Sequence, residues 1–108
     1  MTNKQLLDIF KALSNETRLS ILQWMKTPEV YFPKKGSVSE DEAAALQGAV
    51  CVCAVCETAG ISQSTGSQYL ETMERAGLLT PVRRGKWTYY RRNEETLRAL
   101  SAYFGKEL

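Results

Sequence analysis

Apolar residues recur at helical spacing over five stretches of the chain, and two β-rich runs meet across Arg84-Gly85. A tight turn at Ala59-Gly60-Ile61 joins the third and fourth helical stretches. Together these features predict a mainly α chain with one β-hairpin, in the order helix, helix, helix-turn-helix, hairpin, helix. That order is a winged helix-turn-helix carried between two extra helices. At 108 residues there is room for one small domain, so 1–108 reads as a single unit. It divides into an extended connection at 27–49, a helix-turn-helix at 51–76 and a wing at 79–92.

The first helix, 3–13, sets Leu6, Leu7, Phe10 and Leu13 on one side and Lys4, Gln5, Asp8 and Lys11 on the other. Ser14 or Asn15 caps the second, and Glu16 in its first turn suits the helix dipole. Leu19, Ile21, Leu22, Trp24 and Met25 carry that helix to about Lys26, and Pro28 marks its stop.

In the connection, Pro28, Pro33 and Gly36 break regular structure. Ser39 and Glu42 have capping-box spacing, which predicts one or two turns of helix through Leu46. Glu40-Asp41-Glu42 should keep the segment away from an anionic partner, and Val30, Tyr31 and Phe32 are candidates for packing back on the core.

A short third helix is predicted at 51–59 and a fourth at 62–76. Ser62 caps the fourth, Tyr69, Leu70, Met73 and Ala76 form its inward stripe, and Gly77 closes it. Gly66 conflicts with this reading, since glycine inside a helix costs roughly 1 kcal/mol relative to alanine. Either it allows close approach to a neighbouring helix or to DNA, or it simply weakens the element. Leu78–Arg83 and Lys86–Arg91 form the hairpin, with Trp87, Tyr89 and Tyr90 as core and cross-strand pairs. Asn93 caps a last helix, roughly 94–104, with Leu97, Ala99, Leu100, Tyr103 and Phe104 on its apolar side.

Charge is unevenly spread. Residues 62–92 carry six Lys/Arg against two acids, whereas 1–61 and 93–108 each carry one acid in excess. Positive charge therefore gathers on the helix-turn-helix and wing, as a nucleic-acid contact surface requires. Gln63, Ser64, Thr65, Ser67 and Gln68 give the fourth helix a small polar front for base edges or phosphates. Arg83, Arg84 and Lys86 at the wing tip suit phosphates, which set affinity and salt dependence rather than sequence preference.

Cys51, Cys53 and Cys56 are the only cysteines. They are odd in number and too close together to staple a fold, which argues for free thiols in a reducing compartment. The N-terminus lacks a signal-peptide pattern, and no apolar run approaches the ~20 residues that span a bilayer, so a cytoplasmic protein without a membrane partner is expected. Thiolates select soft ions. Structural zinc wants four ligands, and a chain with three cysteines and no histidine offers three of the preferred kind. Three thiolates suit an ion with an active lone pair, such as As(III) or Sb(III).

Spacing adds a constraint. Cys53 and Cys56 share a helix face, whereas Cys51 and Cys53 meet one ion only if the backbone leaves helical geometry near Cys51. Two other roles stay open for these thiols: core packing beside Val50, Val52 and Val55, or redox sensing with pKa lowered at a helix N-terminus. A thiol enzyme has little support, because there is no histidine and no C-x-x-C beside a βαβ pattern. A protein-binding winged helix is the remaining alternative.

The segment Phe10-Lys-Ala-Leu-Ser-Asn-Glu-Thr-Arg-Leu-Ser-Ile-Leu22 resembles the opening of the ArsR/SmtB metalloregulators. Gln63–Leu70 with Ala76–Leu79 resembles their recognition helix and its exit, and Gly85–Arg91 resembles their wing. Cys51-Val-Cys-Ala-Val-Cys56 is similar to the C-V-C-D-L-C box of the arsenical-responsive repressors. Ala54 stands where that box has an acid, Gly66 stands where valine is common, and 27–49 is longer than the family leads one to expect.

The resemblance implies a non-enzymatic, homodimeric repressor on an inverted-repeat operator, released when As(III) or Sb(III) occupies Cys51, Cys53 and Cys56. It needs no organic cofactor. The alternative within the same fold is a regulator sensing oxidants or reactive sulfur species through those cysteines. The resemblance also implies a dimer seam built from the N- and C-terminal helices, through Leu6, Leu7, Phe10, Leu100, Tyr103 and Phe104.

Overall fold

The computed structural model describes residues 1–32 and 48–107, so the predicted helix from Ser39 to Leu46 lies outside the described residues. The order is α1 (Asn3–Leu13), α2 (Glu16–Trp24), α3 (Pro28–Tyr31), β1 (Val50–Cys51), α4 (Val52–Ala59), α5 (Gln63–Arg75), β2 (Leu79–Arg84), β3 (Trp87–Arg92) and α6 (Glu94–Lys106). This is the mainly helical winged helix-turn-helix that the patterning predicts.

Side-chain caps set where the helices begin. Thr2 and Gln5 form a capping box on α1. Asn15, rather than Ser14, caps α2 by accepting from the Arg18 N–H at 3.0 Å. Ser62 and Asn93 cap α5 and α6 in the same way. Pro28 sits past the end of α2 and itself opens the single turn of α3, a position that needs no N–H donor.

The inward face of α1 differs from the predicted stripe. Leu6, Ile9 and Ala12 are buried, while Leu7 and Phe10 point outward. An apolar stripe cannot by itself distinguish a chain's own core from a face left for another surface. Of the three candidates beyond α2, Phe32 is buried, Tyr31 stacks on Trp24 at 6.0 Å, and Val30 stays exposed.

The hairpin fills the expected wing at 79–92, with each strand starting one residue later than the runs Leu78–Arg83 and Lys86–Arg91. β2 and β3 pair antiparallel from Leu79–Arg92 to Arg84–Trp87. Pro81 lies in β2, an edge strand of the sheet, where a missing donor is tolerated. A short strand that the sequence pattern does not mark, β1, completes the sheet. Val50 pairs with Tyr90 and Cys51 with Tyr89, giving a three-stranded sheet in the order β1-β3-β2.

Ile9, Ile21, Val55, Leu70, Met73 and Leu78 are almost fully excluded from water and centre the core between α1, α2, α4, α5 and the sheet. Side chains of this size contribute about 1.5–3 kcal/mol each when fully buried. Arg18 adds a polar tie among three helices. Its Nε donates to the Ala12 carbonyl at 2.6 Å and an Nη to that of Lys11 at 3.3 Å, and its guanidinium lies 5.1 Å from the Tyr69 ring centroid. It thus satisfies the last carbonyls of α1 while bracing α5.

Candidate functional site

The turn between α4 and α5 is closed by the Cys56 carbonyl, which accepts from the Gly60 and Ile61 N–H groups. Gly60 takes φ +68°, a left-handed conformation that glycine adopts at little cost. Ser62 then starts α5, its Oγ accepting from the Thr65 N–H at 3.2 Å and donating to Thr65 Oγ1 at 3.0 Å. Gln63, Ser64 and Gln68 are exposed on the helix, and Thr65 and Ser67 are half-buried. The Thr65 hydroxyl is already engaged in the cap.

Arg83, Arg84 and Lys86 are exposed on the wing. Trp87 corrects the expectation of a core ring. It is 59% exposed, paired across the hairpin with Arg84 and lying 5.4 Å beneath the Lys86 ammonium. Tyr90, three residues on along the strand, is the buried ring. Burial and a hydrogen bond with Glu74 push the Tyr90 hydroxyl above its ordinary pKa. Arg92 counts toward the local positive charge but serves the fold, bonding Glu94 at 2.9 Å and the Leu22 carbonyl at 3.1 Å.

The thiols occupy three different settings. Cys51 ends β1 and caps α4 with an extended backbone, φ −73° and ψ 151°, and its sulfur accepts from the Ala54 N–H at 3.4 Å. The departure from helical geometry that would bring Cys51 to Cys53 is therefore built in, and their sulfurs lie 2.8 Å apart. Cys56 is buried and turned the other way, its thiol donating to the Ser62 carbonyl at 3.5 Å. Sharing a helix face with Cys53 does not bring it to the pair. Among the described residues, no three Cys, Asp or Glu side chains are gathered as a metal would need. The donor set fits a soft three-coordinate ion, but only after the Cys56 thiol turns.

Burial pushes the Cys51 thiol up, and Cys53 adds to this by hydrogen bond and charge. Burial, then the charge of Cys53, raises Cys56 as well. The expected lowering at a helix N-terminus is thus reversed at both positions. The Ala54 N–H does lower Cys51, but desolvation outweighs it.

Along α1 and α6 an apolar face lies open. Leu7 is 54% exposed, Phe10 40% and Phe104 46%, with the two phenyl rings 5.9 Å apart. No residue of α6 is fully buried, and Leu100 and Tyr103 are half-buried. Leu6 is already inside the chain, at 6% exposure, and so adds no surface for a partner.

Three of these features escaped the sequence reading: the Arg18 tie, the exposed Trp87 and the pairing of Cys51 with Cys53. Only Arg18 left a signal, as a charge near the head of α2 that reaches both the end of α1 and α5.

No protein-family model matches the chain. It is 40% identical over 102 residues to the uncharacterized HTH-type transcriptional regulator YbzH of Bacillus subtilis, covering 94% of this chain and 97% of that one. It is 29% identical over 85 residues to the arsenical resistance operon repressor of Escherichia coli, covering 79% of this chain and 56% of that protein. Among solved structures it resembles a homodimeric winged helix-turn-helix DNA-binding domain from Mycobacterium bovis, a possible ArsR-family regulator. That likeness has a TM-score of 0.59 at 22% identity and covers 97% of this chain and 85% of the other. At that identity the likeness speaks for the fold alone. The relatives are transcriptional regulators rather than enzymes, and on these sequence relatives this chain belongs to the ArsR family of helix-turn-helix transcriptional regulators.

Proposed function

We propose that the chain is a homodimeric transcriptional repressor, with 1–108 acting as one winged-helix unit, that releases operator DNA when a soft trivalent ion binds Cys51, Cys53 and Cys56. The observation that carries this is position. All three thiols sit on the strand end and helix that lead directly into α5, two of them already in sulfur contact. As(III) or Sb(III) takes three thiolates, each sulfur replacing one hydroxide and each thiol proton leaving in water. No organic cofactor is needed. The E. coli relative of that name supports an arsenical inducer.

Gln63, Ser64, Ser67 and Gln68, with Thr65 limited by its cap, face base edges or backbone. Arg83, Arg84 and Lys86 neutralise phosphates. The open face of Leu7, Phe10 and Phe104, bordered by Leu100 and Tyr103, is the dimer seam. It holds two α5 helices about one DNA turn apart, near 34 Å, to match an inverted repeat. Capture of the ion draws the cysteines together at the head of α4 and disturbs that spacing. The protein acts in the cytoplasm, and no described helix is long and apolar enough to cross a membrane.

The test is a titration of a DNA–protein complex with arsenite, using the reduced wild type and Cys51→Ser, Cys53→Ser and Cys56→Ser. Release from the wild type with retention by each variant is the expected result. DNA binding that ignores arsenite would remove the inducer and leave the DNA reading standing.

A second reading has one observation in its favour. The 2.8 Å contact of Cys51 with Cys53 suits oxidant or sulfur-species sensing. Burial of Cys51 opposes it, because a thiol held protonated reacts slowly. Release by peroxide or polysulfide, without release by arsenite, would favour this second reading.

A further inference from the structure

Gly66 lies inside α5, in contact with the Cys56 thiol. It is buried, and a Cβ built on it would overlap Cys56 Sγ, with Cys56 Cβ at 3.7 Å and Ile61 Cδ1 at 3.6 Å. The sulfur thus fills the notch that the missing side chain leaves. The same thiol donates to the Ser62 carbonyl, which also accepts the first helical hydrogen bond of α5 from the Gly66 N–H at 2.9 Å. One thiol therefore touches both ends of the first turn of the helix that carries Gln63, Ser64 and Thr65.

We propose that Gly66 is the seat of the Cys56 thiol and the position through which occupation of the cysteine box is felt by α5. The inference rests on the reading of that box as the sensor. Cys51 and Cys53 are already together, so Cys56 is the member that must travel. Leaving the notch removes packing from α5 at Gly66 and a hydrogen bond from Ser62, at the turn that presents the polar front. A void too small for water forfeits the contacts that filled it, so the first turn of α5 is loosened as the ion is taken. A glycine is needed for this coupling despite its cost to the helix, because any Cβ denies the thiol its seat.

The test is a double-mutant cycle with two further readouts. Gly66→Ala should lower Tm when Cys56 is present and raise it in a Cys56→Ala background, where the new methyl fills the empty notch and favours the helix. Shifts of the same sign in both backgrounds would overturn the seat. In a Cys51→Ser, Cys53→Ser background, Gly66→Ala should speed alkylation of Cys56 at least tenfold, and an unchanged rate would overturn it. With all cysteines present, Gly66→Ala should bind arsenite but need at least tenfold more of it to release DNA. Release at the wild-type concentration would overturn the coupling. A wild type that does not bind arsenite removes the sensor reading and the coupling with it, while the stability cycle still decides whether the seat exists.

Discussion

Replacing Arg18 by alanine should weaken the fold and the DNA-facing helix together. Its Nε–Ala12 hydrogen bond is 2.6 Å and comes from a charged donor, a class that contributes about 1.5–3 kcal/mol. Partial exposure places this bond at the lower end. The Lys11 bond, at 3.3 Å on the solvent side, adds a smaller amount. Stacking over Tyr69 at 5.1 Å adds about 0.5–1 kcal/mol. The expected loss is about 2–3 kcal/mol, or roughly 10–20 °C in Tm for a domain of this size. Arg18→Lys should recover less than half, because one ammonium cannot both reach two carbonyls and lie flat on a ring. The assay is urea unfolding followed by circular dichroism at one protomer concentration, since self-association couples to folding. DNA affinity should also fall under conditions where the variant is folded, because Tyr69 loses its brace. An Arg18→Ala midpoint shift worth under about 0.5 kcal/mol, with the slope unchanged, would refute the assignment, since ordinary surface changes fall within that range.

Phe10→Glu or Phe104→Glu should yield monomers by sedimentation velocity, and a wild-type sedimentation coefficient would remove this face from the seam. Arg84→Ala should lower the slope of log affinity against log salt by about 0.9 for each phosphate left without its cation, or roughly two for a dimer. An unchanged slope would take Arg84 out of the phosphate set. Alkaline pH should destabilise the reduced protein. Burial raises the folded-state pKa of Cys51 and Cys56 above the ordinary 9.0, so the native state holds more protons than the unfolded chain just above that pH. Their contribution is fully present below about pH 9 and is lost as pH rises through the folded values. Tm should fall as pH rises above about 9, and the fall should shrink in Cys56→Ala. A flat Tm in the wild type would contradict the burial assigned to these thiols.

The helices and the hairpin were legible because local chemistry marks them. Asn15, Ser62 and Asn93 each cap a helix through their own side chains, and Gly85 marks the turn of the hairpin. What escaped depends on pairs distant in sequence. β1 is two residues long and exists only because Val50 and Cys51 pair with Tyr90 and Tyr89. Its extended backbone is in turn what places Cys51 beside Cys53, a contact that helical spacing alone denies. Leu7 and Phe10 obey the same periodicity as Leu6 yet face outward, since periodicity reports apolarity and not the surface it meets. Gly66 left close approach to another helix as one of its readings, but the group that approaches, the Cys56 sulfur, could not be named from spacing because it belongs to that other helix.

The claim that one soft ion gathers all three thiols is best tested by arsenic K-edge absorption of the reduced wild-type protein loaded with one equivalent of arsenite per protomer. Three sulfur neighbours and no oxygen neighbour around arsenic are predicted, falling to two sulfurs in Cys56→Ser. A wild-type shell of two sulfurs and one oxygen, unchanged in Cys56→Ser, would show that Cys56 stays on Gly66 and that the three-thiolate site does not form.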